Sequence, residues 1–210
     1  MTSPLEVHIA RIESIHAPAS VPCLSPPEEA RAQRFHDRTH AATWRAGRAW
    51  IRQRLASTLG SAAPDLTITP DPRGRPRVDG APQGFDANWS HSGPWIALVI
   101  SRSGPAGVDI EQLRPDLPHQ ELAPVVCSPG ELKALDALAH DTAARHHFLR
   151  LWTAKEALMK ATGLGAALDP ASIEVDLNRS GTAAYLSHPG WSLQWQSSDD
   201  WVAAWTWSSP

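Results

Sequence analysis

The pentapeptide Gly107-Val108-Asp109-Ile110-Glu111 constrains this chain more than any other segment. Strand side chains alternate between faces, so Val108 and Ile110 point together into a core and Asp109 and Glu111 share the opposite face. The Cα atoms of the two acids then stand roughly 6.6 Å apart. Carboxylates this close repel one another unless a cation or a proton lies between them. The fold must therefore leave that face to water, as a solvated strand edge, or bring a hard cation to it. An all-oxygen donor set suits Mg²⁺, which is commonly shared with a substrate phosphate and water.

Composition narrows the classes that can hold such a strand. The 210 residues are 20% charged and 42% hydrophobic, which is ordinary globular usage and excludes a disordered, collagen-like or disulfide-scaffold chain. The length suffices for a real core in one domain or two small ones. Cys23 and Cys127 form no CxxC pair, so no zinc or redox motif is present. The longest apolar run, Trp95 to Ile100, is too short to span a bilayer, and the N-terminus lacks a basic-then-apolar signal pattern. A soluble, cytoplasmic protein with no membrane partner is expected. Residues 31–80 hold ten Arg, four Asp and neither Lys nor Glu, a local +6 inside a chain of net −3, which leaves −9 on the remainder. Such a block points to a local anion site rather than a nucleic-acid surface, which would need a continuous basic face with base-reading groups. The ten Trp are read as core and rim packing.

Along the chain, residues 5–15 read as an early strand, followed by a loop rich in proline (Pro18, Pro22, Pro26, Pro27). A helix start is expected at Ser25-Pro26-Pro27-Glu28-Glu29, with helix to Leu59, a break near Phe35-His36 and a stop at Gly60. Trp44, Ile51 and Leu55 share one side of it, and Arg34, Arg38, Arg45, Arg48 and Arg52 form a neighbouring stripe. Strands are expected at Leu66–Thr69, Trp95–Ser101 and Gly107–Glu111, with a turn-rich loop over 71–76. Ser128-Pro129-Gly130-Glu131 is a capping box with proline in the first turn, and 144–162 is a helix stopped by Gly163. Short strands are expected at Ile173–Leu177, Ala183–Leu186, Leu193–Trp195 and Val202–Trp207. The pattern predicts an α+β fold of two similar halves, 1–103 and 104–210, each a small antiparallel sheet packed with a long helix.

Three further segments carry chemistry. On the helix through Trp152-Thr153-Ala154-Lys155-Glu156-Ala157, the stripe Leu151, Ala154, Leu158, Ala161 is apolar, and Glu156 and Lys160 lie one turn apart on the polar side. They are either a plain surface ion pair or a third carboxylate with a phosphate ligand. Asn88-Trp89-Ser90-His91-Ser92-Gly93 sets two hydroxyls around an imidazole, good phosphate donors, or else a loop with local turn bonds. A Ser–His hydrolytic pair is disfavoured, because adjacent strand residues point apart and no nucleophile elbow is present. Gly74-Arg75-Pro76 and the arginine stripe can pair bidentately with phosphate, or form a solvated face. Neither GxxxxGK[ST] nor GxGxxG occurs.

In this order, these segments resemble the 4′-phosphopantetheinyl transferase superfamily, in its surfactin-type branch of two-half monomers. The carriers of the resemblance are Gly74-Arg75-Pro76, Asn88 to Ser92, Gly107 to Glu111, Trp152 to Ala157 with Lys160, and Cys127-Ser128-Pro129-Gly130-Glu131. Arg34-Phe35 and Ala46-Gly47-Arg48 with Ile51-Arg52 resemble its N-terminal helix pattern, so that residues 28–168 are covered. The resemblance implies transfer of 4′-phosphopantetheine from coenzyme A to a serine of an apo acyl or peptidyl carrier protein, releasing 3′,5′-ADP. It implies Mg²⁺, or Mn²⁺ in its place, on Asp109, Glu111 and Glu156. It implies Lys160, Ser90 and His91 on the diphosphate or 3′-phosphate, Arg75 and Pro76 at the adenine, and Arg48 and Arg52 at the 3′-phosphate. Glu156, or a metal-bound water, would act as base, with Asp109 holding the metal and Lys155 orienting or relaying a proton.

This chain departs from the family pattern at several positions. Arg75 replaces a lysine, Cys127 replaces an aromatic residue, and a lysine near Glu28 and an arginine near Thr43 are missing. Arg31, Arg45 and Arg48 are the cations able to compensate. The alternative is a non-catalytic coenzyme A or carrier-binding module, which would not need the three carboxylates.

Overall fold

The computed structural model describes residues 5–15, 23–177, 183–185 and 187–208; the readings placed on Pro18, Pro22 and Leu186 lie outside them. In chain order the elements are β1 (Leu5–Arg11), α1 (Pro26–Ala32), α2 (Arg38–Leu59), β2 (Ile68–Pro70), β3 (Pro76–Val78), β4 (Asp86–Ser92), β5 (Trp95–Ser101), β6 (Ala106–Gln112), α3 (His119–Val126), α4 (Pro129–Asp136), α5 (Asp141–Thr162), β7 (Val175–Asp176), β8 (Ala183–Tyr185), β9 (Trp191–Ser197) and β10 (Trp201–Ser208).

The strands form an antiparallel sheet β1-β5-β4, a second sheet β6-β10-β9-β8-β7 that is antiparallel throughout, and the hairpin β2-β3. β5 is an unbroken apolar run because both of its faces are covered. Ile96, Leu98 and Ile100 pack under Trp50, Ile51 and Leu55 of α2. Ala97 and Val99 pack on the other side against Val108, Ile110, Trp201 and Ala203 of the second sheet. Beyond that sheet, Phe148, Leu151 and Leu158 of α5 pack on Leu193, Val202 and Ala204. The layers are therefore helix, sheet, sheet, helix, an α+β fold in which each half sets a 22-residue helix against an antiparallel sheet. Each large apolar side chain buried this way contributes about 1.5–3 kcal/mol.

Local signals set the element ends. Asp37 caps α2 by accepting from the amides of Thr39 (2.6 Å) and His40 (3.1 Å), so the break falls at the expected place. Ser128 and Glu131 form the capping box of α4. Gly163 ends α5 at φ +67°, a left-handed conformation suited to glycine.

Some expectations are corrected. β1 stops at Arg11, and a 3₁₀ turn follows over Ile12–Ser14. Residues 88–92 are a strand rather than a loop, because they pair along β5 from Asn88↔Val99 to Ser92↔Trp95. α5 begins three residues early, at Asp141. α3 and β3 had no expected counterpart. α3 is eight residues with an internal Pro124, and β3 is three residues beginning on Pro76; both are too short for a periodic signal. No described helix is long and apolar enough to cross a membrane.

Candidate active site

β6 lies at the edge of its sheet, and β4 covers its outer side through alternate side chains. Asp86 accepts from the Ala106 amide (2.8 Å) and Asn88 from the Val108 amide (3.1 Å). Two and four residues further on, Ser90 donates to Asp109 (2.7 Å) and Ser92 to Glu111 (2.6 Å). The period of two therefore separates neighbours that were grouped together: Ser90 and Ser92 face the carboxylates, whereas Trp89 and His91 line a cleft on the other side of β4. Ser90 and His91 thus do not share one phosphate pocket.

α5 approaches β6 from the acidic face. An added Cβ at Gly107 would lie 2.1 Å from the Ala157 carbonyl oxygen and 2.7 Å from the Ala161 amide nitrogen, so only glycine permits the contact. A glycine inside a strand is itself the sequence sign of such a close approach. This contact brings Lys160 to Asp109 Oδ1 (2.6 Å) and to Ser90 Oγ (3.0 Å). Lys160 therefore pairs across elements with Asp109 rather than within the helix with Glu156.

Asp109 is 3% exposed, and its Oδ2 is buried without a hydrogen-bond partner. Burial raises the pKa of both Glu111 and Glu156 above the usual carboxylate value, and the Asp109 charge raises each further. Hydrogen bonding from Ser92 and the Lys160 charge oppose this at Glu111, and Lys160 does so at Glu156. The described residues hold no group of three His, Cys, Asp or Glu side chains drawn together as a ready ligand set. The donor chemistry nevertheless fits a hard divalent ion: one orphaned carboxylate oxygen, and two further carboxylates whose charged form burial and the Asp109 charge disfavour.

The cleft has a volume of about 830 Å³ and is lined by Glu28, Arg48, Pro76, Trp89 and His91 among others. The Arg48 guanidinium pairs with Glu28 and sits 4.8 Å from the Trp89 ring centroid; Arg31 stands 5.5 Å from the Trp44 ring. A planar group and an anion could both be held here. Burial pushes the Glu28 carboxyl up, but the Ser25 amide, Arg48 and Arg52 more than offset this and hold it below its ordinary value.

Three cations proposed for ligand or catalytic work are committed elsewhere. Arg52 is 1% exposed and donates to the carbonyls of Ala63 (2.8 Å) and Pro64 (3.2 Å), with Glu28 at 3.0 Å. It pins the loop after α2 rather than a 3′-phosphate. Arg75 is 7% exposed, and its guanidinium is taken up by Asp86 and by the carbonyls of Lys160 and Ala106; only its neighbours Gly74 and Pro76 line the cleft. Lys155, 1% exposed, donates to Glu131 (2.6 Å), the Val126 carbonyl (2.7 Å) and the Pro170 carbonyl (3.0 Å). A buried ammonium directs its protons to the acceptors packed around it, so Lys155 stands here as the counter-ion of Glu131. Glu131 was legible only as a capping residue. Its second role, as counter-ion to Lys155, has no local sequence signal.

Comparison with known proteins sharpens this picture. Residues 105–206 match the model of the 4′-phosphopantetheinyl transferase superfamily. The chain is 34% identical over 195 residues to the 4′-phosphopantetheinyl transferase HetI of Nostoc sp., covering 90% of this chain and 81% of that protein. It is 28% identical over 159 residues to the 4′-phosphopantetheinyl transferase Sfp of Bacillus subtilis, covering 75% of this chain and 68% of that one. A solved holo-(acyl-carrier-protein) synthase from Bacillus anthracis aligns with 50% of this chain and 96% of its own, at 20% identity and a TM-score of 0.45.

Proposed function

This chain belongs to the 4′-phosphopantetheinyl transferase superfamily, and we propose that it moves 4′-phosphopantetheine from coenzyme A to a serine of an apo acyl or peptidyl carrier protein, releasing 3′,5′-ADP. The observation that carries the reading is the meeting of Lys160, Ser90 and Asp109, with Glu111 and Glu156 both sensing the Asp109 charge.

The nucleotide end of coenzyme A takes the cleft, against Pro76, Trp89, His91 and Arg48. Its diphosphate then reaches past β4 toward Lys160 and Ser90, two groups able to donate to phosphate. Asp109, Glu111 and Glu156 would hold Mg²⁺, or Mn²⁺ in its place. When bound, that ion supplies neutralising charge between the carboxylates and the diphosphate.

The carrier serine attacks the phosphorus bonded to pantetheine, and the P–O bond to the nucleotide phosphate breaks. Glu156, whose pKa burial and the Asp109 charge raise, is the proposed base that accepts the serine proton. Lys160 stabilises the negative charge that moves to the departing 3′,5′-ADP. Residues 1–103 mainly supply the cleft, and residues 104–210 the carboxylates and Lys160.

The test is incubation with coenzyme A, Mg²⁺ and a panel of apo carriers, read by mass spectrometry. A phosphopantetheine mass on the carrier serine is expected, and its loss in Asp109→Ala and Glu156→Ala. Binding of coenzyme A with no modification of any carrier would replace this reading with a non-catalytic binding module.

A further inference from the structure

The three elements that converge on Asp109 share a second meeting point, at the Arg75 guanidinium. The Arg75 guanidinium donates through Nη1 to the carbonyl of Lys160, in the last turn of α5. Through Nη2 it donates to Asp86, the first residue of β4, and to the carbonyl of Ala106, the first residue of β6 (2.7 Å). Asp86 closes the triangle by accepting from the Ala106 amide (2.8 Å). β4 carries Ser90, β6 carries Asp109 and α5 carries Lys160, the three groups that hydrogen-bond one another at the site.

The loop that presents Arg75 is itself tightly set. Asp71 accepts from the amides of Arg73 (2.9 Å) and Arg75 (3.0 Å), and Arg73 reaches the Gly163 carbonyl (3.2 Å) just past the end of α5. Two guanidinium groups thus sit on the carbonyl end of the helix, where positive charge is favoured.

We infer that Arg75 is a positioning residue: it sets the last turn of α5 against the starts of β4 and β6, and so places the Lys160 ammonium, without itself touching coenzyme A. A planar fork can serve three acceptors in one plane, whereas an ammonium is a point of charge with a different donor geometry. Lysine should therefore not substitute fully here.

The inference rests on the transfer reaction proposed above, so wild-type transfer is measured first and two independent readouts follow. In the first, Arg75→Lys and Asp86→Asn are assayed for kcat, and coenzyme A affinity is measured by calorimetry. The expected result is a fall in kcat of tenfold or more with the coenzyme A Kd changed by less than threefold. The double variant should be no worse than Arg75→Lys alone. A Kd that weakens in step with kcat/KM would make Arg75 a ligand and overturn the inference, as would kcat within twofold of wild type. The second readout does not need turnover. Amide exchange across residues 157–163 should quicken tenfold or more in Arg75→Lys, while residues 145–152 keep their protection. Unchanged protection at 157–163 would overturn the inference even if the wild type transfers nothing.

Discussion

Replacing Gly107 by alanine tests the contact on which the site is built. The new Cβ would stand 2.1 Å from the Ala157 carbonyl oxygen, 2.7 Å from the Ala161 nitrogen and 3.1 Å from the Ala161 Cα. Carbon–oxygen contacts in proteins settle near 3.3 Å, so α5 and β6 must separate by roughly 1 Å. The obstructing atoms are helix backbone, so no side-chain rotation relieves them. Overpacking of this kind costs about 1–3 kcal/mol, and here the loosened packing of α5 on Val202 and Ala204 adds to that. The larger effect is on geometry. Lys160 leans on Asp109 and Ser90 at 2.6 and 3.0 Å, and a helix moved outward breaks both contacts. A misplacement of about 1 Å can cost on the order of a hundredfold in rate. Urea denaturation and steady-state transfer at saturating coenzyme A and Mg²⁺ measure the two effects separately. The expected outcome is a modest loss of stability with a kcat lowered by roughly two orders of magnitude. A folded Gly107→Ala protein with wild-type kcat would refute the idea that this close approach places the catalytic groups.

Other perturbations separate the structural cations from the ligand-facing one. Lys155→Met leaves the Glu131 charge buried without its partner and should cost about 3–5 kcal/mol by urea denaturation. Arg48→Ala should raise the KM for coenzyme A by roughly ten- to a hundredfold, since a hydrogen bond to a charged group is worth about 1.5–3 kcal/mol, while kcat holds; a change in kcat alone would count against Arg48 as a cleft ligand. Glu28 has a folded pKa below its ordinary 4.5, so its contribution to stability is present above that value and is lost as pH falls through the lower folded one. Glu28→Gln should therefore flatten the fall in urea midpoint on acidification below the ordinary carboxylate range, and an unchanged acid profile would speak against the Glu28–Arg48–Arg52 cluster. Ser92→Ala removes the hydrogen bond that favours ionised Glu111, and should weaken Mg²⁺ binding measured by calorimetry; tighter binding would contradict that role.

The carboxylates were legible in the sequence because a strand's period of two is set by the backbone, and no tertiary contact can put Asp109 and Glu111 on different faces. The same rule held a second message in Ser90-His91-Ser92, where alternation sends the hydroxyls to one side and the imidazole to the other. That alternation counts against a Ser–His pair, yet it equally parts Ser90 from His91 as joint phosphate donors, and the strand itself shows only when Trp95–Ser101 pairs with it. The cations were legible by type and not by task. An arginine or lysine reaches several ångströms from its Cα, so spacing on a helix does not say which acceptor it finds. Burial decides the task. Arg52, Arg75 and Lys155 are 1%, 7% and 1% exposed, and a charge so far from water persists only where carbonyls or a carboxylate fully surround it. A cation satisfied in that way has no donor to turn toward a phosphate without breaking what keeps it buried. Lys160 differs because its side chain is 27% exposed, and its contacts with Asp109 and Ser90 leave a third ammonium proton to be directed elsewhere. The separation of scaffold from ligand-facing cations thus follows from solvation, and it turns the proposed phosphate contacts to Lys160 and to Arg48 of the arginine block rather than to Arg52 and Arg75.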